Sequence, residues 1–176
     1  VSLQLWNDRI VDVPDWPEPG VVFKDISPLL ADPEAFASVV EALADDWSGR
    51  VDVVAGVEAR GFVLGAPLAL RLGAGFVPVR KAGKLPRAVH ASTYDLEYGR
   101  ATLEVHQDAF APGARVLVVD DVLATGGTAA AALALVAAAG GVPVGLSVLL
   151  ELTFLAGREA VAGAAPDVPV HALVTV

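Results

Sequence analysis

Residues 116–128 read VLVVDDVLATGGT, and the order of side chains has chemical content. Four apolar residues run into two adjacent carboxylates, Asp120 and Asp121. A short loop follows, and Thr125-Gly126-Gly127-Thr128 then opens an Ala/Leu-rich stretch. Neighbouring carboxylates are costly to bury unless a cation or hydroxyl groups meet them. Gly126 and Gly127 let the backbone approach a ligand and turn several N–H groups one way. A helix starting there adds unsatisfied N–H groups and a positive dipole end, which suit a phosphate. Thr125 and Thr128 offer hydroxyl donors to the same phosphate. Carboxylates for sugar hydroxyls beside a phosphate cradle are what a ribose-5-phosphate requires. A Gly-Gly-Thr turn alone is weak, because such turns recur for structural reasons; the whole string is far more specific. It is not a Walker loop, since the Lys expected before Ser or Thr is missing.

A second feature is the distribution of charge. Twelve Lys and Arg against twenty-one Asp and Glu give a net charge of −9, so most of the surface repels nucleic-acid backbones. Yet Arg80, Lys81, Lys84 and Arg87 place four of the twelve basic residues in one stretch without an acid. A solvated loop can look like this. In an acidic chain, a concentrated basic loop also suits a small anionic ligand.

These residues need a scaffold, and the apolar pattern supplies one. Val51–Ala55, Phe76–Val79, Arg115–Val119, Val142–Leu150 and Val170–Val174 read as buried strands. Phe62–Leu72 and Thr128–Ala139 read as helices, the second ended by Gly140-Gly141. The alternation predicts an α/β fold, an open and mostly parallel sheet of about five strands with helices on both faces. Asp120 and Asp121 then fall at the carboxyl edge, where such sheets bind ligands. Thr93–Leu96 and Ala101–Val105 flank Tyr98-Gly99 and read as an antiparallel hairpin outside that pattern. The Pro- and Asp-rich segment Val13–Pro33 has no clear period and reads as an irregular appendage.

The chain has 176 residues, 55% of them hydrophobic, which suits one domain with a real core. No apolar run has transmembrane length, and Val1–Asp15 lacks the basic start of a signal peptide. Cysteine is absent, which excludes disulfides, thiolate metal sites and a cysteine nucleophile and is compatible with a reducing cytoplasm. The expectation is a cytoplasmic protein without nucleic-acid or membrane partners. His90, His106 and His171 are scattered without metal spacing or a Ser and Asp grouping. Trp6, Trp16 and Trp47 are expected to pack the N-terminal segment and first helix. Asp32, Asp45 and Asp46 read as solvated helix-end charges.

The string at 116–128 resembles the phosphoribosyl pyrophosphate (PRPP) motif of the type I phosphoribosyltransferases. Other blocks resemble the adenine-specific branch of that family, in family order and at family-like spacing from roughly Val13 to Leu152. Pro19–Pro28 (PGVVFKDISP) resembles its N-terminal hood, and Glu58–Phe62 (EARGF) its pyrophosphate loop. Val79-Arg80-Lys81 and Gly83–Pro86 resemble the start of a mobile lid, and Tyr94–Gly99 (YDLEYG) its end. The final two dozen residues carry less signal.

The resemblance implies a single domain over residues 1–176, with residues 1–35 as hood and 80–106 as lid and hairpin inserted in the core. It implies transfer of ribose-5-phosphate from PRPP to adenine, giving AMP and pyrophosphate, in a homodimer. Asp120 and Asp121 would contact the ribose hydroxyls, and Ala124, Thr125, Gly126, Gly127 and Thr128 would hold the 5′-phosphate. Arg60, with the backbone of Glu58, Ala59 and Gly61, would hold pyrophosphate, and the Glu58-Ala59 peptide is expected to be cis. Lys81 and Lys84 would add positive charge, with Arg80 placed to reach across a dimer interface. Phe23 would stack on adenine while the main chain of Val22 and Lys24 reads its edge. Glu97 would act as acid or base at a purine ring nitrogen, and Tyr98 would close over the site. Mg²⁺ would ride on PRPP without direct protein ligands. Residues 82–97 are expected to be mobile until an anion binds.

Two positions depart from the family pattern. Val122 stands where many relatives have Leu, which should loosen the base pocket slightly. Lys24 stands where some have Arg, a swap that matters only if a guanidinium fork is needed. A PRPP-sensing regulator would need a DNA-binding segment, for which the hood leaves little room. An enzyme for another purine base is disfavoured by the hood string.

Overall fold

In the computed structural model, which describes residues 3–95 and 99–176, the described residues form nine strands and six α-helices. Helix α1 (Leu3–Asn7) leads into β1 (Val11–Pro14) and β2 (Val22–Asp25), which pair as an antiparallel ribbon. Helices α2 (Ser27–Ala31) and α3 (Pro33–Ala44) follow, then β3 (Val53–Val57), α4 (Arg60–Leu72) and β4 (Gly75–Lys81). Next come β5 (Val89–Asp95), β6 (Arg100–His106), β7 (Arg115–Leu123), α5 (Gly127–Ala138) and β8 (Val142–Glu151). A 3₁₀ turn (Thr153–Leu155), α6 (Gly157–Ala164) and β9 (Val170–Thr175) complete the fold.

The main sheet runs β5-β6-β4-β3-β7-β8-β9. Strands β4, β3, β7, β8 and β9 are parallel neighbours, which is the five-strand core read from the sequence. The hairpin does not stand apart. β6 pairs antiparallel with the end of β4 through Arg80 and Lys81, so β5 and β6 extend the sheet. The segment Val13–Pro33 is also more ordered than its composition suggested, since it contains the end of β1, all of β2 and α2.

Alternation along the central strands builds two core layers. Val116 and Val118 face the layer of α5 and α6, with Leu133, Val136 and Val161. Leu117 and Val119 face the opposite layer of α3 and α4, with Val39, Leu43, Leu64 and Leu68. Trp6 and Trp47 are buried in that second layer, whereas Trp16 is 52% exposed and packs at an angle on Phe23, ring centres 4.5 Å apart. Trp47 Nε1 donates to Ser147 Oγ at 2.9 Å, satisfying two buried polar groups. Asp32 caps α3 by accepting from the Glu34 and Ala35 N–H groups and also pairs with Arg9, so it is a cap as well as a helix-end charge.

Candidate active site

Strands β3 and β7 are adjacent, and the segments leaving their carboxyl ends face one another. After β3, the chain turns at Glu58-Ala59, whose peptide bond is cis, and enters α4 at Arg60. Gly61 must be glycine for this close approach, since a Cβ there would lie 2.6 Å from the Val119 carbonyl oxygen and 3.2 Å from Asp120 Oδ1. After β7, Gly126 adopts φ 85° and caps α5, whose first-turn N–H groups have no intrahelical partner.

Between these segments lies a cavity of about 560 Å³. Glu58, Ala59, Arg60, Lys81, Asp120, Asp121, Ala124, Thr125, Gly126 and Thr128 line it, so one crevice gathers most of the residues expected at ribose, phosphate and pyrophosphate; Gly61 is buried against the Val119 carbonyl and does not line it. Gly127 packs beside the wall, and Val122 lines it.

The charges inside are arranged as a chain of partners. Arg60 Nε lies 2.6 Å from an Asp121 carboxylate oxygen, and Asp121 is 5% exposed. The same guanidinium sits 4.9 Å from the centre of the Phe23 ring, a cation–π contact that ties the hood to the core. Asp120 Oδ1 accepts from the Asp121 N–H at 2.9 Å. Burial, and then the charge of Asp121, push the Asp120 carboxyl well above the usual carboxylate range, against the pull of that N–H and Arg60. Both carboxyl groups line the cavity, where they can exchange hydrogen bonds with the hydroxyl groups of a ligand.

The lid cations divide into two sets. Lys81 faces the cavity. Arg80 and Lys84 do not line it: Arg80 Nε is 3.2 Å and Lys84 Nζ 3.0 Å from the Glu58 carboxylate, which also accepts the Lys81 N–H at 3.0 Å. Burial raises the Glu58 pKa, but these donors outweigh it and hold the group at about 2. Arg87 pairs with Asp108, and the Gly83 N–H donates to Glu104 at 2.9 Å.

In the hood, Val22 is half exposed and Lys24 Nζ lies 2.6 Å from Asp12. Lys24 and Asp12 line a separate cavity of about 240 Å³ with Asn7, Leu150 and Val174. Glu97 and Tyr98 lie outside the described residues. Tyr94 carries no role in the sequence reading, yet its hydroxyl accepts from Thr128 Oγ1 at 3.0 Å and it lines the main cavity. Its ring lies 3.0 Å from where a Gly127 Cβ would stand, so Gly127 makes room for it. The one local signal is its strand partner Ala101, small enough to leave space for a ring.

A family model described as a phosphoribosyl transferase domain matches residues 29–161, and the chain belongs to that family. An adenine phosphoribosyltransferase of Thermobifida fusca (strain YX) is 62% identical over 171 residues, spanning 96% of this chain and 95% of its own. The crystal structure of adenine phosphoribosyltransferase from Rhodothermus marinus superposes with a TM-score of 0.92 at 50% identity, covering 99% of this chain and 98% of its own. The Trypanosoma brucei enzyme, solved with AMP, pyrophosphate and ribose-5-phosphate, gives a TM-score of 0.90 at 28% identity, covering 98% and 78%.

Proposed function

We propose that this chain transfers the ribose-5-phosphate of PRPP to adenine, forming AMP and pyrophosphate. One observation carries the reading: Asp120-Asp121, the Ala124–Thr128 loop and Arg60 share a single cavity, and Arg60 connects it to Phe23 of the hood. That arrangement offers a place to each part of a nucleotide. The ligands of the Trypanosoma brucei enzyme, AMP, pyrophosphate and ribose-5-phosphate, are those parts.

The reaction breaks the bond between the anomeric carbon and pyrophosphate and forms a bond to a purine ring nitrogen, which loses a proton. Positive charge grows on the sugar while the leaving polyanion gains negative charge. The Ala124–Thr128 loop holds the 5′-phosphate through α5 N–H groups and hydroxyls. Asp120 and Asp121 accept from the ribose hydroxyls. Arg60 must leave Asp121 and Phe23 to meet pyrophosphate, and Lys81 supports it. Departure of the guanidinium frees the Phe23 ring for the base. The donor set, two carboxylates of which Asp121 is already engaged, suits a Mg²⁺ carried on PRPP, where it would neutralise the leaving group.

Glu97 takes the role of acid or base at the purine nitrogen, and Tyr98 seals the pocket. Glu97→Gln keeps shape but not proton transfer, so turnover should fall by about 10²–10⁴-fold with PRPP affinity kept. Wild-type turnover in Glu97→Gln would remove the residue from the chemistry.

A homodimer accords with the apolar outer face of α4, where Val63 is 41% and Leu70 83% exposed, and light scattering reads it directly. The cysteine-free sequence accords with a cytoplasmic setting. The deciding experiment incubates the chain with PRPP, Mg²⁺ and adenine, hypoxanthine, guanine or orotate. AMP from adenine alone is the expected product; selective use of another base would overturn the assignment.

A further inference from the structure

The Ala124–Thr128 loop rests on a floor made by the first turn of α6. A Cβ on Gly126 would lie 2.5 Å from the Gly157 carbonyl oxygen and 2.8 Å from the Ala160 Cβ. A Cβ on Gly157 would lie 2.3 Å from the Ala124 carbonyl oxygen. Loop and helix therefore meet at two glycines, in a contact that also takes in the Ala160 Cβ and the Leu123 side chain and leaves no room for an added carbon. In so close a contact a displacement of α6 would be passed to the loop.

Helix α6 has eight residues, too few to hold a position by helix propensity alone. Its second residue supplies the anchor. Arg158 grips Glu151 with a fork, Nε to Oε1 at 2.7 Å and Nη2 to Oε2 at 2.7 Å, while Nη1 donates to the Val170 carbonyl at 2.8 Å. One guanidinium so joins the end of β8, the start of β9 and the first turn of α6. Glu151 stands opposite Leu123, the residue before the loop, and the Leu152 N–H donates to the Leu123 carbonyl at 2.9 Å. The strand end that leads into the loop is held at the same place.

Glu151 is 4% exposed, and burying a carboxylate there is costly without its fork. Neither Glu151 nor Arg158 lines the cavity, so neither serves the reaction by contact.

We propose that Glu151 and Arg158 are a positioning pair for the phosphate loop: they fix α6, α6 shapes the loop, and the pair thereby sets affinity for the 5′-phosphate. The inference rests on the assignment of Ala124–Thr128 as the phosphate cradle. A bidentate fork fixes an angle as well as a distance, which a lysine cannot do.

The test compares the wild-type chain with Arg158→Lys and Glu151→Gln by calorimetric titration with ribose 5-phosphate, pyrophosphate and adenine, each alone, alongside thermal melts. Both variants should bind ribose 5-phosphate about tenfold or more weakly, the loss expected from one misdirected charge-assisted contact to the phosphate, with pyrophosphate and adenine affinities unchanged. The KM for PRPP should rise with kcat largely kept. Arg158→Lys preserves the charge and carries the test if Glu151→Gln fails to fold. Equal weakening of all three ligands, or a lower Tm with ribose 5-phosphate affinity intact, would make the pair a general brace and overturn the proposal. Failure of the wild type to bind ribose 5-phosphate would overturn it too. AMP formation by the wild type is followed in parallel. Its absence would overturn the activity while the ribose 5-phosphate titration still reads the loop.

Discussion

Replacing Glu58 by Gln should weaken the fold by an amount that depends on pH in a defined way. The carboxylate collects three donors: Arg80 Nε at 3.2 Å, Lys84 Nζ at 3.0 Å and the Lys81 N–H at 3.0 Å. Its pKa falls from 4.5 to about 2. At roughly 1.4 kcal/mol per unit, that shift corresponds to about 3 kcal/mol. The Arg80 and Lys84 side chains are 32% and 49% exposed, so solvent and salt screen the pairs and bring the expectation to about 1–2 kcal/mol. Because the folded pKa is depressed, the unfolded chain binds the proton first. The stabilisation is complete above the ordinary value of 4.5 and is lost as pH falls towards about 2. About a quarter of it should be gone by pH 4. Urea unfolding of wild type and Glu58→Gln from pH 7 downward measures the difference. A gap of about 1–2 kcal/mol at pH 7 that narrows below pH 4.5 is the expected result. No gap at pH 7, or one that stays constant to pH 3.5, would show that the carboxylate charge is not what holds these three donors.

Three further substitutions probe other levels of the structure. Tyr94→Phe removes the hydroxyl that accepts from Thr128; the KM for PRPP should rise by up to about tenfold with little change in kcat. Gly126→Ala sets a Cβ 2.5 Å from the Gly157 carbonyl at φ +85°, so PRPP-dependent turnover should fall by about 100-fold or more while the melting curve keeps its cooperativity. Trp47→Phe leaves the buried Ser147 hydroxyl without its indole partner. It should cost about 2–3 kcal/mol in denaturant titration and leave the KM for adenine and PRPP unchanged.

How far the sequence reveals this molecule depends on the range of the interaction concerned. The loop between β7 and α5 is legible because its determinants are consecutive: apolar strand, carboxylates, glycines, threonine, helix. The parallel core was legible because burial on both faces demands unbroken apolar runs such as RVLVV. The hairpin was visible as two strands, but its place in the sheet was not, because only Arg80 and Lys81 of β4 pair with β6. The β1–β2 ribbon was missed because Pro and Asp mask a four-residue strand whose pairing is with a segment beyond a turn.

The side-chain pairings that set the site's charge state were the least legible. Arg60 lines the cavity, but its grip on Asp121 spans the chain and leaves no periodic trace in the sequence. The same holds for Arg80 and Lys84, whose basic run suggested charge offered to a ligand, whereas both are held by Glu58. A cluster of cations is unfavourable alone, so the fold supplies a carboxylate from the neighbouring loop. Of these cations Arg60 alone both lines the cavity and is paired to a carboxylate there. Under the proposed function, an incoming polyanion would compete with Asp121 for Arg60, an exchange of anionic partners around a cation already placed. Such an exchange asks less reorganisation of the site than gathering a free side chain from solvent.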